Sequence, residues 1–252
     1  MIRISGTLKR LAFVAASIAF VSCSGAPIDE NDPAQLYADA ESDVQAEHYL
    51  VALEKMRSLK NRFPYSKHAV EASLRIADIY FLQESFNEAA ISYESFKDLH
   101  PKHEKVAYAM FRQGVSYYKD LPSTVARDMV SGHRSIEAFE AFLARFPKNA
   151  EAADAKKYVL EIRNLLAQKE MYVAYFYFRR EYYSSAKTRY EKIVNQFPDT
   201  TSFEEAKKKL SEVTQLIAQG KGFRPEDSER IKNLKGGSNA PGRPPGIMGP
   251  GQ

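Results

Sequence analysis

Four times in this chain an aromatic ring stands directly before a proline at the end of an amphipathic run: Phe63-Pro64, His100-Pro101, Phe146-Pro147 and Phe197-Pro198. Proline has no N–H to donate and pushes the residue before it out of the α region, so each dipeptide closes a helix. The prolines are spaced 37, 46 and 51 residues apart. A recurrent unit of that size cannot bury its apolar face alone; stacking neighbours makes the core.

Other offsets recur with the prolines. Counting back from Pro101 gives Phe96, Tyr93, Ala89, Phe86, Tyr80, Ala77 and Ile76; counting back from Pro198 gives Ile193, Tyr190, Ala186, Tyr183, Tyr177, Ala174 and Val173. This is the pattern of a tetratricopeptide repeat, a helix-turn-helix of about 34 residues with small and aromatic residues at fixed positions. Ala77 with Ala89, and Ala174 with Ala186, let two helices of a hairpin approach closely. The first unit keeps Ala40, Tyr49, Ala52, Met56 and Leu59 but has Asp43 where the tyrosine belongs, as a terminal repeat without a neighbour can.

The uneven spacings predict two irregularities. In the third unit Gly114, Tyr117, Phe139 and Phe142 fit, but the connection between Asp120 and His133 is about nine residues too long. Before the fourth unit some 17 extra residues, 149–165, contain no internal proline or glycine; they predict a helix over 151–181, about 45 Å long. A last helix is predicted over 203–218, with Ala206, Leu210, Val213 and Ile217 on one face, stopped by Gly220 and Gly222. A short helix is expected after Pro225, to about Leu234. The expected fold is all-α, a tetratricopeptide solenoid of about four to five hairpins with a long helix opening the fourth repeat. Its repeats divide into 33–147 (repeats 1–3) and 148–234 (repeats 4–5), followed by a Gly/Pro-rich tail over 235–252 expected to be disordered.

Arg3, Lys9 and Arg10, then an apolar stretch from Leu11 to Val21 and a small residue at Ser22, are the parts of a secretory signal over 1–22, too short to span a bilayer. Phe20-Val21-Ser22-Cys23 is similar to a bacterial lipobox, which makes Cys23, the chain's one cysteine, the expected lipidation site, with 23–32 as a polar tether. Ser24 in place of aspartate points to the outer membrane. Removing the signal lowers the formal net charge from +4 to +1, which provides no electrostatic reason to bind nucleic acid. Residues 26–100 nevertheless carry fourteen acids against seven bases, so the two ends of the array differ in charge.

Solenoids of this kind curve, and the first helix of each hairpin lines the inner surface. The positions expected to face inward are Tyr37 and Glu41, then Leu74, Asp78 and Phe81, then Phe111 and Tyr118, then Tyr175 and Phe178. Aromatic rings mixed with Glu41, Asp78, Lys119 and Arg179 suit a peptide ligand, the rings contributing burial and the charges setting register. No catalytic set is expected. The five histidines are scattered, no cysteine lies near them, and neither a metal site nor a nucleophile beside a base can be assembled. No phosphate-binding glycine loop is present either, and no cofactor is expected.

The lipobox, the tether, the closures Asn61-Arg62-Phe63-Pro64-Tyr65 and Leu99-His100-Pro101, the stretch Tyr108-Ala109-Met110-Phe111-Arg112-Gln113-Gly114, the interrupted third repeat, the long helix over 160–177 and Phe197-Pro198-Asp199-Thr200 together resemble the BamD (ComL) family, across about 32–217. That resemblance implies a lipoprotein of the β-barrel assembly machinery on the periplasmic face of the outer membrane. Its N-terminal repeats would receive unfolded outer-membrane proteins in a groove of Tyr37, Glu41, Leu74, Asp78, Phe81, Phe111 and Tyr118. Its C-terminal repeats would bind the POTRA domain of the BamA-type barrel subunit through Tyr175, Phe178, Arg179, Lys208 and Gln215, alongside other Bam lipoproteins, without enzymatic activity. Polar Lys207, Lys208, Lys209 and Gln215 and the Gly/Pro tail depart from the enteric pattern. The competing expectation is a periplasmic repeat lipoprotein that coordinates cell-envelope or peptidoglycan processes.

Overall fold

The computed structural model describes residues 29 and 31–222; the signal, Cys23, most of the tether, the expected helix after Pro225 and the tail lie outside them. Nine helices and no strand occur among the described residues: α1 (Pro33–Gln45), α2 (Tyr49–Arg62), α3 (Lys67–Leu82), α4 (Phe86–Leu99), α5 (Val106–Lys119), α6 (Val130–Arg145), α7 (Ala152–Arg179), α8 (Tyr183–Gln196) and α9 (Phe203–Ala218). The fold is therefore an all-α repeat array of the tetratricopeptide type, four hairpins and a ninth helix, with α7 twice the length of α8. Two compact units part within α3, Met1–Ala72 and Ser73–Gln252. In the second, each helix from α4 to α9 packs on the next, and α7 also touches α5 and α9.

The aromatic-proline closures behave alike. Phe63, His100, Phe146 and Phe197 have φ between −127° and −129° and ψ between 48° and 56°, outside the α region that proline disfavours for its predecessor. Each accepts, through its carbonyl, a backbone N–H from the residue three positions on: Ser66, His103, Asn149 and Thr200. The side chains of Ser66, His103 and Asn149 then accept the N–H of the residue two further along, satisfying an orphan donor of the next helix.

The turns inside the hairpins follow a second rule. α1, α3 and α7 end in Schellman turns with a glutamate in the left-handed position: Glu47 (φ 60°), Glu84 (φ 58°) and Glu181 (φ 61°). In each, that glutamate's N–H and the next one reach back to helix carbonyls, as Glu84 to Phe81 and Ser85 to Tyr80. The third repeat cannot do this. Leu121 donates to Tyr118, but Pro122 follows, where the second N–H is required. The inserted loop takes over: Ser131 Oγ donates to Asp120 at 2.5 Å, Lys169 Nζ to the Arg127 carbonyl at 2.6 Å, and Met129 is buried.

The core repeats with the sequence. Second helices bury Ala52, Met56 and Leu59; Ala89, Tyr93 and Phe96; Ser135, Phe139 and Phe142; and Ala186, Tyr190 and Ile193, none more than 1% exposed. Burying a Leu, Met or Phe contributes about 1.5–3 kcal/mol each, so these positions dominate the apolar burial of each hairpin. In the third repeat the alanine pair is replaced by Gly114 and Ser135. A Cβ on Gly114 would fall 2.7 Å from the Phe139 ring, and the Ser135 hydroxyl donates to the Gly114 carbonyl at 2.8 Å. Asp43, in the tyrosine position of the first unit, is matched instead by a cation: Lys55 Nζ lies 2.6 Å from Asp43 and 2.5 Å from Asp39.

α7 spans 28 residues, about 42 Å, and its extension clamps the last closure. Arg163 donates to both Asp199 carboxylate oxygens and to the Gln196 carbonyl, and its guanidinium lies 5.4 Å from the Phe197 ring centre. Asn164 accepts from both the amide and hydroxyl of Thr201. Lower down, the carboxylate of Glu170, 8% exposed, receives Arg189 at 3.0 Å and Lys192 at 2.6 Å from α8.

Candidate partner-binding site

The residues expected to line one groove fall into different environments. On α1, Tyr37 and Glu41 are half-buried, and the Tyr37 ring lies 5.8 Å from that of His68. On α3, Leu74 is 4% exposed and offers no surface to a ligand; it belongs to the core, and its place in the groove is corrected accordingly.

Asp78 is the centre of a polar cluster. Its Oδ1 accepts the hydroxyls of Tyr93 at 2.6 Å and Tyr108 at 2.7 Å, and Arg75 lies 3.8 Å from Oδ2. Arg112 donates to the Tyr93 hydroxyl at 3.3 Å and lays its guanidinium 3.6 Å from the Phe81 ring centre. Burial first, and the Asp78 charge second, push the Tyr93 hydroxyl far above the ordinary phenol range and that of Tyr108 up to about 12. Both hydroxyls therefore stay protonated and donate to Asp78. Tyr108 remains 38% exposed, so one edge of the cluster is open to a partner.

Phe111 and Tyr118 on α5 face α6 and α7. The Phe111 ring lies 5.7 Å from Phe139, 5.6 Å from Phe142 and 6.4 Å from Tyr158; Tyr118 lies 4.7 Å from Tyr158 and donates to Glu161 at 3.0 Å. Phe139 and Tyr158 stack with their planes 3° apart. Both groove candidates are thus part of an aromatic seam between repeats, half-buried by it.

The open aromatic surface lies elsewhere. Tyr172, Tyr175 and Phe176 near the C-terminal end of α7 are 54%, 53% and 47% exposed. With Arg179 and Arg180 they recur at three- and four-residue steps, which aligns them on one helix face. Arg179 lies 5.7 Å from the Tyr175 ring centre and Arg180 3.7 Å from that of Phe176. Phe178 points away from this stripe, edge-on to Tyr183 at 5.6 Å and beneath Lys209 Nζ at 5.0 Å. On α9, Lys208 and Gln215 are exposed and line a shallow depression with Glu204, Lys207, Ser211 and Glu212. Among the described residues no set of three or more His, Cys, Asp or Glu is placed to hold a metal ion, and no helix is long and apolar enough to cross a membrane.

This arrangement, rings and guanidinium groups displayed on a helical scaffold, suits macromolecular recognition. The family model YfiO, described as an outer membrane lipoprotein, matches residues 29–221, all but the edge of the described fold. The chain belongs to the YfiO family. Among its relatives are proteins named outer membrane protein assembly factor BamD. The one from Neisseria meningitidis serogroup A is 29% identical over 181 residues, 68% of each chain. The Vibrio cholerae serotype O1 protein is 28% identical over 232 residues, 88% of this chain and 94% of its own. That of Rickettsia prowazekii is 28% identical over 184 residues, 73% of each.

In this YfiO family member, sequence reasoning named Tyr175 and Arg179 but passed over Tyr172, Phe176 and Arg180, which complete their stripe. The signal was available, since the five residues keep helical spacing on the face of α7 opposite the buried Ala174 and Glu170. Tyr93, Tyr108 and Arg112 were also missed as partners of Asp78. Tyr108 and Arg112 lie in the next repeat, and no local pattern links them to it.

Proposed function

We propose that this YfiO-family protein is an outer-membrane protein assembly factor, the role for which its BamD relatives are named. In this reading Cys23 carries the lipid that tethers it to the periplasmic face of the outer membrane. The protein makes no bond and breaks none; it binds an unfolded outer-membrane protein and a POTRA-bearing barrel subunit and brings the two together. The observation that carries the reading is the family match across residues 29–221.

The geometry suggests which faces do what. Two exposed rings with a guanidinium group beside each, on the α7 stripe, offer apolar contact area and carboxylate-binding forks together, the chemistry of an interface anchor. Lys208 and Gln215 on α9 extend the proposed subunit-binding face. Unfolded substrate is assigned to the N-terminal repeats, with Phe81 and Tyr108 around Asp78 as contacts in the second unit and Tyr37 and Glu41 as contacts in the first.

Purification of the tagged lipoprotein from its native membranes in mild detergent tests this, with mass spectrometry of what accompanies it. A POTRA-bearing barrel protein near stoichiometry is expected; cell-wall enzymes in its absence would move the function to envelope coordination. In the same assay Cys23→Ala should release the protein from membranes.

A further inference from the structure

Arg112 is a cation that the Asp78 cluster fixes in place without pairing it to a carboxylate. It projects from α5, half-buried, within the second compact unit. Its guanidinium carbon lies 3.6 Å from the Phe81 ring centre, and Phe86 packs edge-on against Phe81 at 5.2 Å. The rings of Tyr93 and Tyr108 stand 6.0 and 5.9 Å from it, inclined at 80° to each other. Nε is spent on the Tyr93 hydroxyl, 3.3 Å away. That hydroxyl is itself fixed, because it donates to Asp78 at 2.6 Å.

The rest of the guanidinium is unused. Of its five N–H donors, those on Nη1 and Nη2 have no acceptor among the described residues. Asp78 does not supply one: its Oδ1 accepts the hydroxyls of Tyr93 and Tyr108, and its Oδ2 lies 3.8 Å from Arg75. With Nε occupied, the bidentate mode left to Arg112 is end-on, Nη1 and Nη2 to the two oxygens of one carboxylate. Stacking on Phe81 and the bond to Tyr93 set the plane of the fork before any ligand arrives, so little side-chain entropy is lost on binding. Tyr108, 38% exposed, offers ring surface to an apolar neighbour of that carboxylate.

We propose that Arg112 reads aspartate and glutamate side chains of the polypeptide bound on this face. The fork takes the carboxylate end-on while an adjacent apolar residue rests on Tyr108, and Tyr93 acts as the positioning residue. The inference rests on the reading above that the N-terminal repeats receive unfolded protein. Such a chain has one terminal carboxylate but acidic side chains along its length, so the side chain is the ligand assigned. The second and third repeats thereby favour segments that pair an acid with an apolar residue over purely apolar ones.

The test is a calorimetric titration of the full-length lipoprotein in mild detergent. The probes are a short, end-blocked peptide of serine and tyrosine with one central glutamate, and its glutamine twin. The glutamate peptide should bind about tenfold or more tightly than the twin, as hydrogen bonds to a charged group allow. Arg112→Gln should abolish that preference, and Arg112→Lys, which keeps the charge but loses the fork, should retain only part of it. Tyr93→Phe, which releases Nε, should reduce the preference while leaving affinity for the glutamine twin unchanged. Equal binding of the two peptides by the parent would overturn the proposal without any variant, as would a preference that survives Arg112→Gln. A glutamine twin with a free C-terminal carboxylate that matches the glutamate peptide, and loses that affinity in Arg112→Gln, would make the chain end the ligand and overturn it too. Binding of neither peptide would overturn both the fork and the assignment of substrate to this face; failure of the assembly reading itself would register separately, in the membrane purification.

Discussion

The two ends of α7 carry the same kind of side chain to opposite ends. Near its start, Tyr158 stacks on Phe139 and receives Tyr118 and Phe111, so its ring is half-buried between repeats. Near its finish, Tyr172, Tyr175 and Phe176 stand about half-exposed beside Arg179 and Arg180. Ring chemistry does not separate the two sets. α5 and α6 lie against the first part of the helix, whereas no described element closes over the stripe. Aromatic enrichment on the first helix of a repeat is therefore evidence for a binding face only where no neighbour has already taken the rings.

The strongest attempt to break this contrast removes one ring from each side of it, Phe139 of α6 from the seam and Phe176 from the stripe. Phe139→Ala, at a site with no exposure, should cost about 3–5 kcal/mol of unfolding free energy. Phe176→Ala should stay within about 0.5 kcal/mol of the parent while lowering recovery of the barrel subunit. Urea denaturation of both variants decides it; equal losses would place Phe176 in the core.

Gly114→Ala sharpens the sealed side. Its methyl would lie 2.7–2.9 Å from three Phe139 ring carbons, and overpacking of this kind costs about 1–3 kcal/mol. A melting temperature equal to that of the parent would mean that the seam is slack.

Acid probes the clamp that holds the middle of α7. The hydrogen bond from Arg163 holds the Asp199 carboxyl below its ordinary range, as that from Lys55 does for Asp43. A carboxyl depressed in the folded state contributes stability above its unfolded value of 3.8, and that contribution drains away as pH falls through the folded value. Asp199→Asn should therefore cost less than about 1 kcal/mol at neutral pH, the pair being half-exposed and screened. The variant should also lose less stability than the parent between pH 5 and 2. Thermal melts across that range check it; parallel curves would show that the clamp adds nothing.

The smallest effect tests the hairpin turns. Glu84→Gly or Glu181→Gly removes the penalty of a side chain in the left-handed region and should raise stability by up to about 1 kcal/mol. Gly at position 122, relieving Pro122, should gain less, because the loop of the third repeat already has its own contacts to α7.

Much of this was legible in one sequence because it is local. Each aromatic-proline pair acts on its own helix end, and the small residues at fixed offsets report a close approach within one hairpin. The nine-residue excess in the third repeat was visible as well, although its cause, Pro122 standing where a Schellman donor is needed, shows only against the other turns. The groove was less legible. Leu74 shares its helix and register with Asp78 and Phe81, yet only the packing around it shows it to be buried.

The sequence by itself determined where the helices of the proline-closed repeats stop and which second-helix positions fill the core, since proline geometry, capping and helical period operate over a few residues. The tertiary structure alone decided which aromatic rings remain available. Asp78 finds Tyr108 30 residues away and Tyr118 finds Glu161 43 away, and whether a ring is sealed or open depends on such distant neighbours rather than on the residues beside it.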